Sequence, residues 1–184
     1  MKCVTKNNVK SDVVFMCYVA LGIALYVVVS MMIKIPIGIG HLALDLGYIV
    51  FAVYCMKFGA LAGAIVGGAG CVLVSLLSSG WFPLGWLLGN IAIGIICGLA
   101  YQKSSKVCFS NIIITITAVI FGVGVIKTVV ECSMFSIPYA VKIPKNMIAA
   151  AMDAVVMVIG LIVSNKIALK NKKHYQTAQT PMTK

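Results

Sequence analysis

Asp45, Asn90, Lys127, Glu131, Asn146 and Asp153 interrupt or border long apolar stretches of this sequence, and charged or amide side chains there are costly enough to need a purpose. Their chemistry suits recognition. An ammonium, carboxylates and amides converging among aromatic rings can orient a small polar molecule, and Trp81, Trp86 and His41 stand near the ends of the same stretches. Lys127 and Glu131 are four residues apart and Asn146 and Asp153 seven, spacings that put each pair on one helix face. A second chemistry is open to Lys127, Glu131 and Asp153, which could pass a proton. Catalysis is not indicated, because the chain has no HExxH, Gly-x-Ser-x-Gly or GxxxxGK[ST] motif. The seven cysteines lack ligand spacing and read as small apolar packing residues, so neither metal nor cofactor is assigned.

The elements that carry these groups are membrane helices. Of 184 residues, 61% are hydrophobic and only 10% charged, with a mean hydropathy of +1.07. Crossing a hydrocarbon core takes about 20 helical residues, so a chain of this length has room for six or seven spans and no soluble domain. Apolar runs predict helices over 12–33, 44–56, 58–77, 86–101, 111–130 and 147–167, the second short and tilted or re-entrant. The segments KIPIGIGHLAL, SSGWFPLG and SIPYAVKIPKN read as loops, since proline and glycine end helices there. The opening MKCVTKNNVKSD is read as the start of a retained first helix, because no small-x-small cleavage site follows it. The expected class is thus an all-α membrane protein, one domain of six transmembrane helices over 1–168 followed by a basic polar cytoplasmic tail over 169–184.

Charge orients the bundle. The net charge is +11, all fifteen cations are lysine, and with six crossings eleven lysines fall on the side of the termini against three on the other (Lys34, Lys142 and Lys145), with Lys127 inside a helix. That asymmetry places both termini in the cytoplasm and excludes nucleic acid as the reason for the charge; the lysines meet anionic membrane lipid instead. With this orientation, the rise of a helix puts Asn90 and Lys127 about 6 Å, and Asp153 about 10 Å, below the outer surface, on three different helices. Three polar groups at one depth define a candidate pocket, with Trp81, Phe82, Trp86 and Tyr139 as lining or lids. A structural Lys127–Asp153 ion pair, with Glu131 and Asp45 in the headgroup region, would account for the same residues.

Glycines at 59, 63 and 67, at 85 and 89, and at 94 and 98 form stripes suited to close helix packing, and Ala20 and Ala24 make a similar pair on the first helix. Together with ALGIA, IKIPIGIGHLALDLGYIVFAV, FGALAGAIVGGAG and GWLLGNIAIGIICG, the order and spacing from Ala20 to Tyr101 resemble the S components of energy-coupling factor (ECF) transporters. The third of these stretches is similar to that family's FGPxxGAxxG run, with Ala60 where proline is common; Asp45 precedes Gly47 where many members read Gly-Asp. The resemblance implies a six-helix vitamin-capturing protein of the bacterial cell membrane with a pocket in its outer half capped by loops. It also implies docking through Ala20 and Ala24 on a transmembrane coupling protein driven by two ATPases, and toppling in the membrane to release cargo.

The function expected is high-affinity capture of a vitamin or related nutrient, without catalysis by this chain. Substrate-binding candidates are Asn90, Lys127, Asp153, Glu131, Asn146, Trp86, Trp81, His41 and Asp45. Lysines near the outer mouth would suit a carboxylate or phosphate, leaving pantothenate, riboflavin and other vitamins open. Two other classes stay in view: a stand-alone ion-coupled carrier, against which the lack of an internal repeat counts, and a non-transporting membrane scaffold.

Overall fold

The computed structural model describes residues 6–37, 42–103 and 109–178. Helix α1 (Lys6–Met32) leads into an antiparallel hairpin of β1 (Lys34–Ile37) and β2 (Leu42–Asp45), in which Lys34 pairs with Asp45 and Ile37 with Leu42. Then come α2 (Gly47–Ser79), α3 (Leu84–Lys103), α4 (Phe109–Val119), a π-helical segment (Ile120–Lys127), α5 (Thr128–Phe135) and α6 (Tyr139–Ala178). Five helices among the described residues are long and apolar enough to cross a membrane: Asp12–Met32, Gly47–Ser79, Leu84–Gln102, Phe109–Phe135 and Tyr139–Ile167.

The second of these five is not straight. Gly59 takes φ +82° and ψ −164°, outside the helical region. A Cβ on Gly63 would lie 3.4 Å from Cys55 Cα, and one on Gly67 would lie 2.5 Å from the Phe51 ring. Residues eight apart in an unbroken helix stand about 12 Å apart, so the chain folds back at Gly59. The two arms, 47–58 and 60–79, match the second and third predicted helices, joined by one residue that only glycine accommodates readily.

Three other expectations need correction. KIPIGIGHLAL, read as a loop, contains the two strands; Pro36 fits there because a two-stranded ribbon is all edge and tolerates a missing N–H. The segment read as the SIPYAVKIPKN loop is already helical from Tyr139, with Pro144 inside α6. At its other end α6 continues to Ala178, so the stretch read as a tail starts as helix.

Packing follows the small residues. Apolar side chains gain little from leaving lipid for protein, so close backbone contact drives association. A Cβ on Gly94 would lie 2.5 Å from Ala64 N, and one on Gly98 would collide with Ala60; α3 therefore lies backbone to backbone on the second arm of α2. Gly89 meets the π-helical segment in the same way, its Cβ position 2.6 Å from Gly122 O. Helix α1 rests on both arms of α2 through Tyr26, buried over Gly70, and Gly22, seated under the Tyr54 ring. Tyr48, Phe51, Ile93, Met157 and Leu161 fill the interior, while Leu21, Leu61, Leu99 and Val155 point outward, as a lipid-facing surface requires.

Candidate functional site

The N-terminal turns of α3, the end of the π-helical segment, α5 and the first half of α6 meet at one end of the bundle. Trp86 lies in the first turn of α3, and Lys127 closes the π-helical segment. The Lys127 side chain is buried, and its ammonium stands 4.2 Å from the Trp86 ring centroid, a cation–π contact. It is close enough to Glu131 and Asp153 to feel both carboxylates. Even so, the one ion pair among the described residues is Lys142–Glu131, at 3.0 Å. The structural Lys127–Asp153 pair is therefore not formed directly, and the indole face holds the ammonium instead.

Around this pair the amides are already engaged. Asn90, fully buried, accepts a hydrogen bond from the Tyr48 hydroxyl at 2.9 Å and donates to Gly67 O at 3.2 Å, tying α3 to both arms of α2. Asn146 donates to Thr128 Oγ1 at 2.9 Å and to Glu131 Oε2 at 3.4 Å, tying α6 to α5. Asp153 is buried on α6 within electrostatic range of Tyr48, Lys127 and Asp45. The structure thus brings Asn90, Lys127 and Asp153 into one neighbourhood, with Trp86, Glu131 and Asn146 beside them.

Above this cluster opens a cleft of about 360 Å³, lined by Trp81, Gly85, Glu131, Phe135 and Lys142 among others. Trp81 is exposed and packs edge-on to Phe135 at 6.2 Å between centroids. The cleft adjoins the cluster through Gly85, one of its lining residues, on which a Cβ would lie 3.0 Å from Lys127 O and 3.1 Å from Glu131 Cγ. The volume is within the range of small-molecule sites, roughly 300–1,000 Å³.

Asp45 belongs to a different arrangement. Its Oδ1 accepts from Ser30 Oγ at 2.6 Å and from Gly47 N at 2.8 Å, and Oδ2 accepts from Tyr26 Oη at 3.4 Å. These bonds fasten the hairpin to α1. His41 lies outside the described residues. Ala20 and Ala24 are both exposed on α1, among the outward-facing Met16, Leu21, Leu25 and Val28. Sequence reasoning missed Tyr48, Thr128, Ser30 and Tyr26, whose polar atoms complete these contacts; hydroxyls within apolar runs were the available signal.

A bundle of apolar helices with polar side chains gathered beneath a cleft at one end defines a membrane protein built to hold a small molecule. Comparison with known proteins gives the family. Residues 10–170 match the model of the ECF-type riboflavin transporter S component, and the chain belongs to that family. A UPF0397 protein of Lactococcus lactis subsp. cremoris (strain NZ9000) is 31% identical over 102 residues, covering 54% of this chain and 53% of that protein. Another, from Enterococcus faecalis (strain ATCC 700802 / V583), is 31% identical over 85 residues, 46% of each. The chain thus spans about half the length of these relatives. Among solved structures, the S component for biotin from an ECF-type ABC transporter superposes with a TM-score of 0.67 at 17% identity, over 90% of this chain and 95% of that one, a likeness of fold.

Proposed function

We propose that this chain is the substrate-capturing subunit of an ECF-type importer in the bacterial plasma membrane. It takes a vitamin from outside through the cleft at Trp81 and Glu131 into the cluster around Trp86 and Lys127. Counting the arms of α2 separately gives six crossings with cytoplasmic termini, a reading supported by the lysine asymmetry. Energy comes from a coupling protein and two ATPases, for which the exposed Ala20–Ala24 face of α1 is the docking surface.

The observation that carries the reading is the convergence of Trp86, Lys127, Asn90 and Asp153, from three segments distant in sequence, in a chain of the S-component family. For the cargo, the structure alters the weight given to charge. Lys142 pairs with Glu131, and the charges of Glu131 and Asp153 both act on Lys127, so the two cations and two anions here balance formally. This favours an uncharged heteroaromatic vitamin over a carboxylate such as pantothenate, and the family match supports riboflavin.

The test is titration of the purified protein with riboflavin, biotin and pantothenate while following tryptophan fluorescence. Saturable quenching by riboflavin with weaker responses to the others is expected, and a flat response to all three overturns the reading.

A further inference from the structure

A second opening lies on the flank of the bundle, between α6 and the junction of α4 with the π-helical segment. It measures about 340 Å³ and is lined by Ile116, Ile120, Ala151, Ala154, Val155 and Ile159, among others, every one of them apolar. Ala154 is buried, whereas Ile116, Val155 and Ile159 are exposed, which makes this a groove with a small-residue floor and branched walls. A vitamin pocket needs polar groups to orient its ligand, so a different kind of occupant fits here. The groove also faces away from the site described above, since Val155 follows Asp153 by two residues, about 200° round α6.

Its place in the bundle narrows the choice. Both walls belong to membrane-spanning helices, Phe109–Phe135 and Tyr139–Ile167, so the groove opens to hydrocarbon. From Ala151 to Ile159 it follows α6 for about 12 Å. Seven residues bring a helix back to nearly the same face about 10 Å further on; from Ile159 that step reaches Lys166, and from Ile116 back along α4 it reaches Phe109. Contacts of Lys142 with Glu131 and of Asn146 with Thr128 make the two walls antiparallel, so Lys166 and Phe109 stand at the same end. Both are exposed, and Lys166 pairs with no carboxylate among the described residues. At the other end the same step from Ala151 reaches Pro144, with Lys145 about 100° off that face.

We propose that the groove between α4 and α6 is a binding site for one anionic phospholipid, with an acyl chain along Ile116, Val155 and Ile159 and the headgroup phosphate on Lys166. An apolar trough supplies the chain with contacts on three sides, and an unpaired lysine at the end of the span attracts a negative headgroup. Phe109 borders the same headgroup level, where aromatic rings are favoured. A partner helix would use the trough but has no need of the cation, and this difference separates the two occupants experimentally. The site is independent of vitamin capture.

The experiment is native mass spectrometry of the delipidated full-length protein in detergent, titrated with dioleoyl phosphatidylglycerol or with dioleoyl phosphatidylcholine. Wild type should retain one phosphatidylglycerol about fivefold more tightly than phosphatidylcholine, the ratio for one lysine near a charged headgroup. Lys166→Gln should abolish that preference while phosphatidylcholine is still held. Val155→Trp and Ala151→Leu, which fill the groove, should weaken both lipids without lowering the lipid-free Tm. Lys57→Gln, at an exposed lysine between the arms of α2, should keep the preference. Unchanged lipid retention in the filled variants overturns the proposal, as does an equal loss of preference in Lys57→Gln, which would mean diffuse attraction to a basic surface. Loss of co-purification with the coupling protein in Val155→Trp, at unchanged lipid retention, would make the groove a protein-docking face and also overturn it. Should the filled variants lose stability, Lys166→Gln decides alone, and a preference that survives it refutes the site.

Discussion

Ser30 Oγ lies 2.6 Å from Asp45 Oδ1, so the C-terminal end of α1 is fastened to the last residue of the β-hairpin. The same oxygen accepts the Gly47 N–H at 2.8 Å, and Ser30 is fully buried. A Cβ on Gly47 would collide with Ser30 Oγ, so the turn and the serine are built around one another. An anionic acceptor holding two such donors acts first on the fold.

Asp45→Ala should therefore lower stability, by about 1–3 kcal/mol, because it strands the buried Ser30 hydroxyl and the Gly47 N–H. Asp45→Asn, which keeps an acceptor at Oδ1, should cost less. Thermal melting in detergent reads both variants. A vitamin affinity that falls sharply with no loss of Tm would return Asp45 to the binding site.

Gly89 provides a test of the backbone contact that brings α3 to the π-helical segment. Gly89→Ala places a methyl 2.6 Å from Gly122 O, where backbone on both sides prevents relief. The expected loss is about 2 kcal/mol or more, as for overpacked cores. Gly80→Ala is the contrast: its Cβ meets nothing within 4 Å, but φ is +70°, so only the backbone cost of about 1 kcal/mol applies. Fluorescence-detected size exclusion after heating ranks the pair, and equal survival would refute the close crossing.

How far this arrangement is legible in the sequence depends on the kind of signal. Hydropathy suffices for the helices because a lipid-facing helix must be apolar over most of its length. The reversal at Gly59 is implied by Lys57 and Gly59 between two apolar runs, although the first arm, of about 18 Å, is too short to announce itself as a span. By contrast, the π-helical turns over Ile120–Lys127 leave no mark, since IFGVGVIK is as apolar as any helix. Pro144 misleads in the other direction: it ends helices on average, yet here it lies in the second turn of α6, near the N-terminal end where few backbone bonds are lost. At the site, rise per residue suffices to expect Asn90, Lys127 and Asp153 near one another. It cannot reveal that Asn90 is bonded to Tyr48 and Gly67, because those partners depend on how the arms of α2 pack.

Lys127 and Asp153 should act through the ligand more than through one another. No direct ion pair joins them, and the Trp86 face holds the ammonium. Lys127→Met and Asp153→Asn are each expected to raise the vitamin Kd by about tenfold or more, a loss typical of hydrogen bonds to charged groups. In a double-mutant cycle the two should be close to additive for apo stability and coupled for binding. Strong coupling in apo stability would point to a structural pair, and unchanged affinity in both single variants would move the pocket elsewhere.

Ala20 and Ala24 lie one turn apart on an exposed face of α1, away from the cleft and the Trp86–Lys127 cluster. Small residues on a lipid-facing helix allow another helix to approach closely, and Met16, Leu21, Leu25 and Val28 around them give an apolar rim. Ala20→Trp or Ala24→Trp fills that face without touching the site. Each should abolish vitamin uptake in cells containing the coupling module, while the purified variant binds the vitamin within about twofold of wild type, since separated sites behave additively. Co-purification with the coupling protein should fail in parallel with uptake. Normal uptake in both variants would mean that the coupling protein docks on another face of the bundle, and lost binding would mean that α1 and the pocket are coupled, with the Ser30–Asp45 bond as the connection to examine.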